Sequence, residues 1–378
     1  MSLMKFVLAL PILFINILLL TTTPGFASTR DGDASKKAEP LRLGIVGLVH
    51  GHVGWILGRK QRDDVKIVGI AEPNRDLAER LNKRYHFGMD RVYASTGEMM
   101  DKTKPEAVVV FTSIKDHKKV TLAAAKRGIH VMVEKPLTFD MDDARAMKAA
   151  ADSAGIFLLT DYETTWYGSV QRAASMVRSG AVGPLRKMVV HDGHQGPKEI
   201  GVGPAFLKWL TDPKENGGGA LIDFGCYGAN LITWFQGNRR PETVTAVTQQ
   251  IKPEVYPKVD DEATIIVTYP KMQGIIQASW NWPYSRKDME IYGTKGAIYQ
   301  DDATHMRVRK PGMNFQALEA DPRPAPYGDP FAYLASVVRG KIDPTGSLWS
   351  LENNMVVVQI LDAARRSAKT GETIRLMD

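Results

Sequence analysis

From residue 41 to about residue 160, short apolar runs alternate with segments whose apolar residues recur every three or four positions. The runs 41–47, 65–71, 107–111, 130–134 and 156–160 read as buried strands. The segments 74–85, 116–127 and 140–154 carry helical periodicity. Asp140 offers an N-cap with Asp143 three residues on, and Gly155 offers the stop. Such alternation implies a parallel sheet covered on both faces. After Asp161 the pattern changes. One helix is expected at 171–179, then strands near 186–191, 242–250, 262–269, 274–280 and 288–292. Late helices are expected at 330–338 and 351–367. Consecutive strands with short turns imply a largely antiparallel sheet. The expected fold is α/β, with one domain over 41–160 and a second over 161–378.

Composition changes this picture only at the N-terminus. Apolar residues make up 44% and charged residues 24% of 378, which is ordinary for a folded protein. The net charge of +7 is scattered, without a basic block interleaved with aromatics, so nucleic acid is not an expected partner. Lys5 precedes an apolar run from Phe6 to Leu20, and small residues follow at Gly25 and Ala27. This pattern predicts a signal peptide over 1–27, a linker over 28–40, and an exported protein, periplasmic or secreted. The run is short for a bilayer span, so no stable membrane insertion is expected after cleavage. Cys226 is the single cysteine, so no internal disulfide forms.

Gly44-Ile45-Val46-Gly47-Leu48-Val49-His50-Gly51-His52 sits between a predicted strand and a helix, where a pyrophosphate would rest. Gly47, His50, Gly51 and His52 are therefore candidate cofactor contacts. Counted from Gly47, the second and third glycines of the usual fingerprint fall on Val49 and His52; Gly51 would supply the missing freedom. Glu72 ends the next strand, where an acid holds the adenosine ribose hydroxyls and repels a 2′-phosphate. NAD is the expected cofactor, with Arg75 keeping NADP open.

The strand His130-Val131-Met132-Val133-Glu134-Lys135-Pro136-Leu137 resembles the E-K-P signature of the Gfo/Idh/MocA oxidoreductases, in particular their glucose-fructose oxidoreductase branch. Four further segments follow in the family's order: 107–117, 217–230, 290–296 and 362–371. The resemblance implies an N-terminal Rossmann domain, a C-terminal α/β domain with an open, mostly antiparallel sheet, and an active site between them. It implies a cis Lys135–Pro136 bond that aims Lys135 at the substrate. It brings Thr112, Ser113, His117, Glu134 and Lys135 near the nicotinamide. Tyr227 stands where many members have His.

A hydride leaves a carbinol carbon only if the hydroxyl proton leaves too, so a base is needed. Tyr227 is the candidate, with its pKa lowered by the Lys135 cation. Lys135 would also stabilise alkoxide character. Asp223, four residues before Tyr227, would share its face on a helix and orient Lys135 or bind a sugar hydroxyl. Tyr162, Glu163, Trp166, His191, His194 and Trp209 are candidate contacts to a sugar. His191 and His194 lack a third ligand, so no metal is expected.

The sequence thus predicts an NAD(P)-dependent oxidoreductase acting on a hydroxyl or ketone of a sugar or glycoside, with its cofactor tightly held. A redox-assisted glycosidase of the same fold and a non-catalytic carbohydrate sensor are the alternatives. A homodimer or homotetramer through the second-domain sheet is expected.

Overall fold

The structure, a computed structural model, describes residues 39–60 and 63–376. The expected signal peptide and nearly all of the expected linker lie outside the described residues.

The first sheet has six parallel strands: β1 (Leu41–Val46), β2 (Val65–Ala71), β3 (Val92–Tyr93), β4 (Ala107–Val110), β5 (His130–Glu134) and β6 (Leu158–Asp161). Their order is β3-β2-β1-β4-β5-β6, so the chain reverses its direction of travel between β1 and β4. A crevice opens at the carboxyl ends of the strands at such a switch point. Strand parity divides the core. Leu41, Leu43, Ile45, Val109 and Met132 face one side; Val46, Val108, Val110, Val131 and Val133 face the other. The second side is covered by α3 (Thr96–Thr103), α4 (Asp116–Ala125) and α5 (Met141–Ala154). Asp140 caps α5 by accepting from the Asp142 and Asp143 amides, and Gly155 ends it with φ 63°.

The first side is covered in an unexpected way. The helix after the glycine turn, α1 (Val53–Leu57), has only five residues, and α2 (Arg75–Tyr85) adds Leu77 and Ala78. The remaining apolar surface is filled by Phe331, Leu334 and Val337 of α11 (Pro330–Val338), with Trp349. A stretch assigned by sequence to the second domain therefore packs on the first sheet.

The second sheet has nine strands: β7 (Leu185–Gly193), β8 (Thr243–Gln249), β9 (Glu262–Tyr269), β10 (Met272–Ser279), β11 (Arg286–Gly293), β12 (Gly296–Gln300), β13 (His305–Arg309), β14 (Gln316–Glu319) and β15 (Ile374–Arg375). Their order is β14-β13-β12-β11-β7-β10-β9-β8-β15, antiparallel except for the β7–β10 pair. Helices α6 (Gly168–Arg178), α10 (Gly225–Phe235) and α12 (Leu351–Thr370) pack on one face, against Met188, Val190, Ile265, Ile276 and Met289. The short helices α7 (Pro204–Leu210), α8 (Pro213–Asn216) and α9 (Ala220–Asp223) lead into α10.

His117 lies in the first turn of α4 and is fully buried. Its Nδ1–H donates to the Leu137 carbonyl at 3.2 Å, and Nε2 has no partner among the described residues. Burial lowers its pKa to about 4. The unfolded imidazole takes a proton below about pH 6.5 and the folded one does not until about pH 4, so stability falls as pH drops through that window. At pH 5 this group is expected to cost about 2 kcal/mol. The urea midpoint should therefore be lower at pH 5 than at pH 7. The non-titrating His117→Gln should narrow that gap; an unchanged gap would rule out this histidine as a contributor.

Candidate active site

Two neighbouring cavities lie at the carboxyl ends of the first sheet. The larger, about 770 Å³, is lined by Gly47, Val49, Glu72, Asn74, Thr112, Ser113 and residues of α7 and α8. Gly47 has φ 79°, and a Cβ there would lie 2.7 Å from Thr112 Cγ2, so the turn requires glycine. Glu72 is pinned at the rim: its oxygens accept the Leu48 and Asn74 amides, each at 2.8 Å. A tight glycine turn with an acid ending the neighbouring strand fits the adenosine half of NAD. Gly47, Glu72, Thr112 and Ser113 would hold it there.

The second cavity, about 630 Å³, is lined by Lys135, Asp223, Tyr227, Glu163, Tyr167, His194, Phe206, Lys287 and others. Helix α7 stands between the two, with Phe206 and Leu210 toward this cavity and Ala205, Lys208 and Trp209 toward the first.

Lys135 follows β5, lines the second cavity and is joined to Pro136 by a cis bond. Its Nζ donates to Asp223 Oδ1 at 2.6 Å and to the Asp223 carbonyl at 2.9 Å. Trp280 Nε1 donates to the other carboxylate oxygen at 3.0 Å. Burial alone would lower the Lys135 pKa, but the Asp223 carboxylate outweighs it and holds the ammonium above the ordinary lysine value. Burial would raise Asp223; Lys135 holds it below the usual range. The pair is therefore charged.

Tyr227 does not behave as expected. Lys135 Nζ lies over its ring, 5.0 Å from the centroid, and Lys287 Nζ lies at 4.8 Å. Neither cation frees a phenolate. Burial, then the negative fields of Glu163 and Asp192, raise its pKa well above 10. Tyr227 is a neutral hydroxyl, not a base in waiting. Nor does it share one helix with Asp223, because α9 ends at Asp223 and α10 begins at Gly225. Both residues still reach the same cavity.

His50, Gly51 and His52 line this second cavity and not the cofactor cleft. His52 Nδ1 donates to Glu134 at 3.2 Å, and His50 Nε2 lies 3.9 Å from the same carboxylate. These three could surround a metal ion. However, His50 Nδ1 accepts the His52 amide at 3.1 Å, which leaves the ring proton on Nε2, the atom facing Glu134. The triad is thus a hydrogen-bonded group. Burial lowers the His50 pKa to about 3, so the ring is neutral at physiological pH.

Glu163 lies in the cavity wall, ion-paired with Lys287 and accepting from the Tyr167 hydroxyl at 2.9 Å. His194 lines it too, neutral because burial lowers its pKa to about 4. Several candidates lie elsewhere. Tyr162 is fully buried in the core, its ring 5.4 Å from that of Tyr227. Trp166 donates to Asp161 and packs against Tyr333 and Trp349. Trp209 faces the cofactor cleft. His117 is sealed beneath the Lys135 loop, as described above. His191 points to the opposite face of the sheet, paired with Asp288 Oδ2 at 3.0 Å. Strand alternation gives the inward place to its neighbour Asp192. Lys287, which faces the buried Asp192 across β11 and β7, lines the cavity and is a site residue that sequence reasoning missed.

Comparison with known proteins agrees with this architecture. Residues 41–162 match the oxidoreductase family with an NAD-binding Rossmann fold, and residues 170–299 match the GFO/IDH/MocA C-terminal domain. Trans-1,2-dihydrobenzene-1,2-diol dehydrogenase of Sus scrofa is 27% identical over 68% of this chain and 72% of its own. An aldose-aldose oxidoreductase from Caulobacter crescentus, solved with glycerol, superposes with TM-score 0.75 at 22% identity, covering 89% of this chain and 100% of that one. An inositol dehydrogenase homolog from Azotobacter vinelandii, solved with NAD+, gives TM-score 0.77 at 18% identity, covering 90% and 98%. With the ordered motifs, the switch-point cleft and the Lys135–Asp223 pair, these matches show that the chain belongs to the Gfo/Idh/MocA family of NAD-binding oxidoreductases.

Proposed function

We propose that the protein interconverts a hydroxyl and a ketone on a sugar, a polyol or a glycoside. The observation that carries this reading is the charged Lys135–Asp223 pair, buried in the wall of a polar and aromatic cavity beside the NAD cleft. Bound NAD supplies or takes up the hydride. Lys135 donates a hydrogen bond to the substrate oxygen and stabilises negative charge there as it takes alkoxide character. Asp223, itself held by Trp280, fixes the ammonium in place before substrate arrives. Neutral His194, Glu163, Tyr167 and Lys287 supply donors and acceptors for hydroxyls. Phe206, Phe224 and Tyr284 supply apolar surface for the C–H faces of a ring. The names of the similar proteins, a dihydrodiol dehydrogenase, an aldose-aldose oxidoreductase and an inositol dehydrogenase homolog, support a hydroxylated ring or chain as substrate.

The reading extends to a cofactor that stays bound. Ala205, Lys208 and Trp209 of α7, with Asp212 and Glu215, wall the cleft, and the Ser113 hydroxyl ties to Glu215 at 2.8 Å. Such a cover slows nucleotide release, which suits a protein exported by residues 1–27 to where NAD is scarce. The test is to purify the protein from its native compartment, identify the extracted nucleotide, and add D-glucose, myo-inositol and a methyl glucoside. The expected result is bound NAD and growth of the reduced-nicotinamide band without added NAD. No bound nucleotide and no uptake of added NAD would overturn the reading.

A further inference from the structure

The turn after β1 carries His52 into the wall of the second cavity, beside Lys135, Tyr227 and Lys287. Its imidazole is held on three sides. The ring stacks on that of Trp55, with centroids 3.8 Å apart and planes 15° from parallel. The His50 ring meets it edge-on at 4.5 Å. Nδ1 lies 3.2 Å from each oxygen of the Glu134 carboxylate. A carboxylate only accepts, so Nδ1 carries the ring proton and Nε2 keeps a free lone pair. Nε2 has no hydrogen-bond partner among the described residues, and it is not one of their sealed polar atoms; it is open to the cavity. Glu134 lies behind, 2% exposed. Its Oε2 also accepts the Lys135 amide at 3.3 Å and lies 3.9 Å from His50 Nε2. Oε1 has no donor besides His52 among the described residues. One carboxylate thus joins His52 to the residue that carries the ammonium of the site.

Oxidation of an alcohol needs somewhere for the hydroxyl proton to go. Lys135 is held as an ammonium, and both Asp223 oxygens are engaged by Lys135 and Trp280. Tyr227 is a neutral hydroxyl in surroundings that disfavour phenolate. His194 Nδ1 accepts the Gly196 amide at 2.9 Å, so its Nε2 is a donor. His50 Nε2 is a donor for the same reason. Glu163 is tied to Lys287 and Tyr167. The other carboxylates of the wall, Asp288, Asp301 and Asp302, are paired with Arg286, Arg307 and His305. Nε2 of His52 is the ring nitrogen of this wall with its lone pair unengaged.

We propose that His52 accepts the hydroxyl proton at Nε2, backed through Nδ1 by Glu134. In the oxidation direction the substrate O–H bond breaks and its proton joins Nε2. The Nδ1–H bond breaks in concert, and that proton joins Glu134 Oε1. The electron pair of the carbinol C–H bond leaves with its hydrogen as hydride to NAD+, and the carbonyl forms. Reduction runs the same path backwards. His52 touches the substrate, and Glu134 acts through it. No imidazolium forms on the way. Burial opposes one, lowering the His52 pKa to about 3, and Lys287 and Lys135 add to that effect. Burial raises the Glu134 carboxyl above its ordinary value, so the proton is better placed on the carboxylate than on the ring. The charged and titratable groups around the dyad are Lys287 from β11, Lys135 after β5, Glu163 after β6, Asp223 from α9, His50 from the same turn, His117 from α4 and Asp161 ending β6. The inference rests on the oxidoreductase reading of the site.

Two measurements test it. The first is nitrogen-15 NMR of full-length, NAD-loaded protein labelled in histidine, at neutral pH. The ring signals that vanish in His52→Gln should report a protonated Nδ1 and a bare Nε2. A proton on Nε2, or an imidazolium, overturns the proposal whether or not any sugar is turned over. The second is steady-state oxidation of myo-inositol or D-glucose by variants checked for NAD binding. His52→Gln should lower kcat by about 10²-fold. Glutamine at position 134 can still accept from Nδ1 but cannot take up its proton. Glu134→Gln should therefore keep the His52 tautomer and still lower kcat by about 10²-fold, with little change in KM. Glu134→Asp should recover part of that loss. Wild-type kcat in His52→Gln or Glu134→Gln would overturn the proposal. So would activity that EDTA abolishes and zinc restores, since His50, His52 and Glu134 would then be metal ligands. A wild type that turns over no carbohydrate would count against the function reading alone, because the tautomer and its dependence on Glu134 still decide for or against the dyad.

Discussion

Replacing Lys135 with methionine is expected to lower kcat/KM for carbohydrate oxidation by about 10²–10⁴-fold while NAD still binds. Methionine keeps the length and apolar bulk of the stem but removes the charge. The substrate oxygen then loses the donor that stabilises it as it becomes alkoxide-like. The same change leaves Asp223 buried with Trp280 as its remaining side-chain donor. Breaking a buried ion pair from one side costs about 3–5 kcal/mol, because the surviving charge is uncompensated. Urea unfolding of Lys135→Met should therefore show a clear loss of stability. Lys135→Met combined with Asp223→Leu should recover much of the stability and none of the activity. A double variant no more stable than the single one would mean that Asp223 is not charged in the folded protein. A Lys135→Met enzyme with near-normal kcat/KM would remove the ammonium from the chemistry altogether.

Gly219→Ala is expected to destabilise the protein by at least about 3 kcal/mol, near the upper end for a single substitution. A Cβ at Gly219 would lie 1.7 Å from the Asp260 carbonyl oxygen, which is backbone and cannot simply turn aside. Asp260 is also the clamp on this segment. Its side-chain oxygens accept the Gly219 and Leu221 amides at 2.8 and 2.7 Å, and its carbonyl accepts the Ala220 amide at 3.0 Å. The clamp starts α9, and α9 ends on Asp223. Forcing it apart should therefore move the partner of Lys135, and activity should fall even at temperatures where the variant stays folded. Gly218→Ala is the control, since its Cβ would meet the Ile222 side chain at 3.1 Å and should cost about 1 kcal/mol. Thermal midpoints and kcat of the two variants, measured together, check the pair; similar losses in both would show that the Asp260 contact is not what matters.

Periodicity and caps located much of the fold. The strands 65–71, 130–134 and 262–269 and the helix 330–338 agree with β2, β5, β9 and α11 to the residue. Asp140 and Gly155 bound α5 as their chemistry requires. These elements are legible because each buries a regular face or carries its own start and stop. The helices α7 to α10 are not. The segment 201–219 is broken by glycine and proline, and α10 is buried nearly all round, so neither shows a polar face to set its phase. Strands β12, β13 and β14 have only four or five residues each, and β13 and β14 also carry charge on their exposed side, so they escaped notice.

The site divides along the same line. The sequence by itself determined which chemistry the chain carries: the glycine turn with Glu72, the strand ending Glu134-Lys135-Pro136, and Asp223 with Tyr227 four residues on. These are local patterns, set by bonded neighbours. Only the tertiary structure decided that Lys287 lines the cavity while His191 turns to the other face of the sheet, because a strand's parity has meaning only once the sheet has a covered side. Only it decided that α11 closes the face left bare by a five-residue α1. Only it decided that Tyr227 stays protonated beside Lys135, because burial and two nearby carboxylates, brought in from β7 and from the turn after β6, outweigh a cation that is itself tied to Asp223. Protonation states follow from desolvation and from charges distant in sequence, and no reading of spacing along the chain contains them.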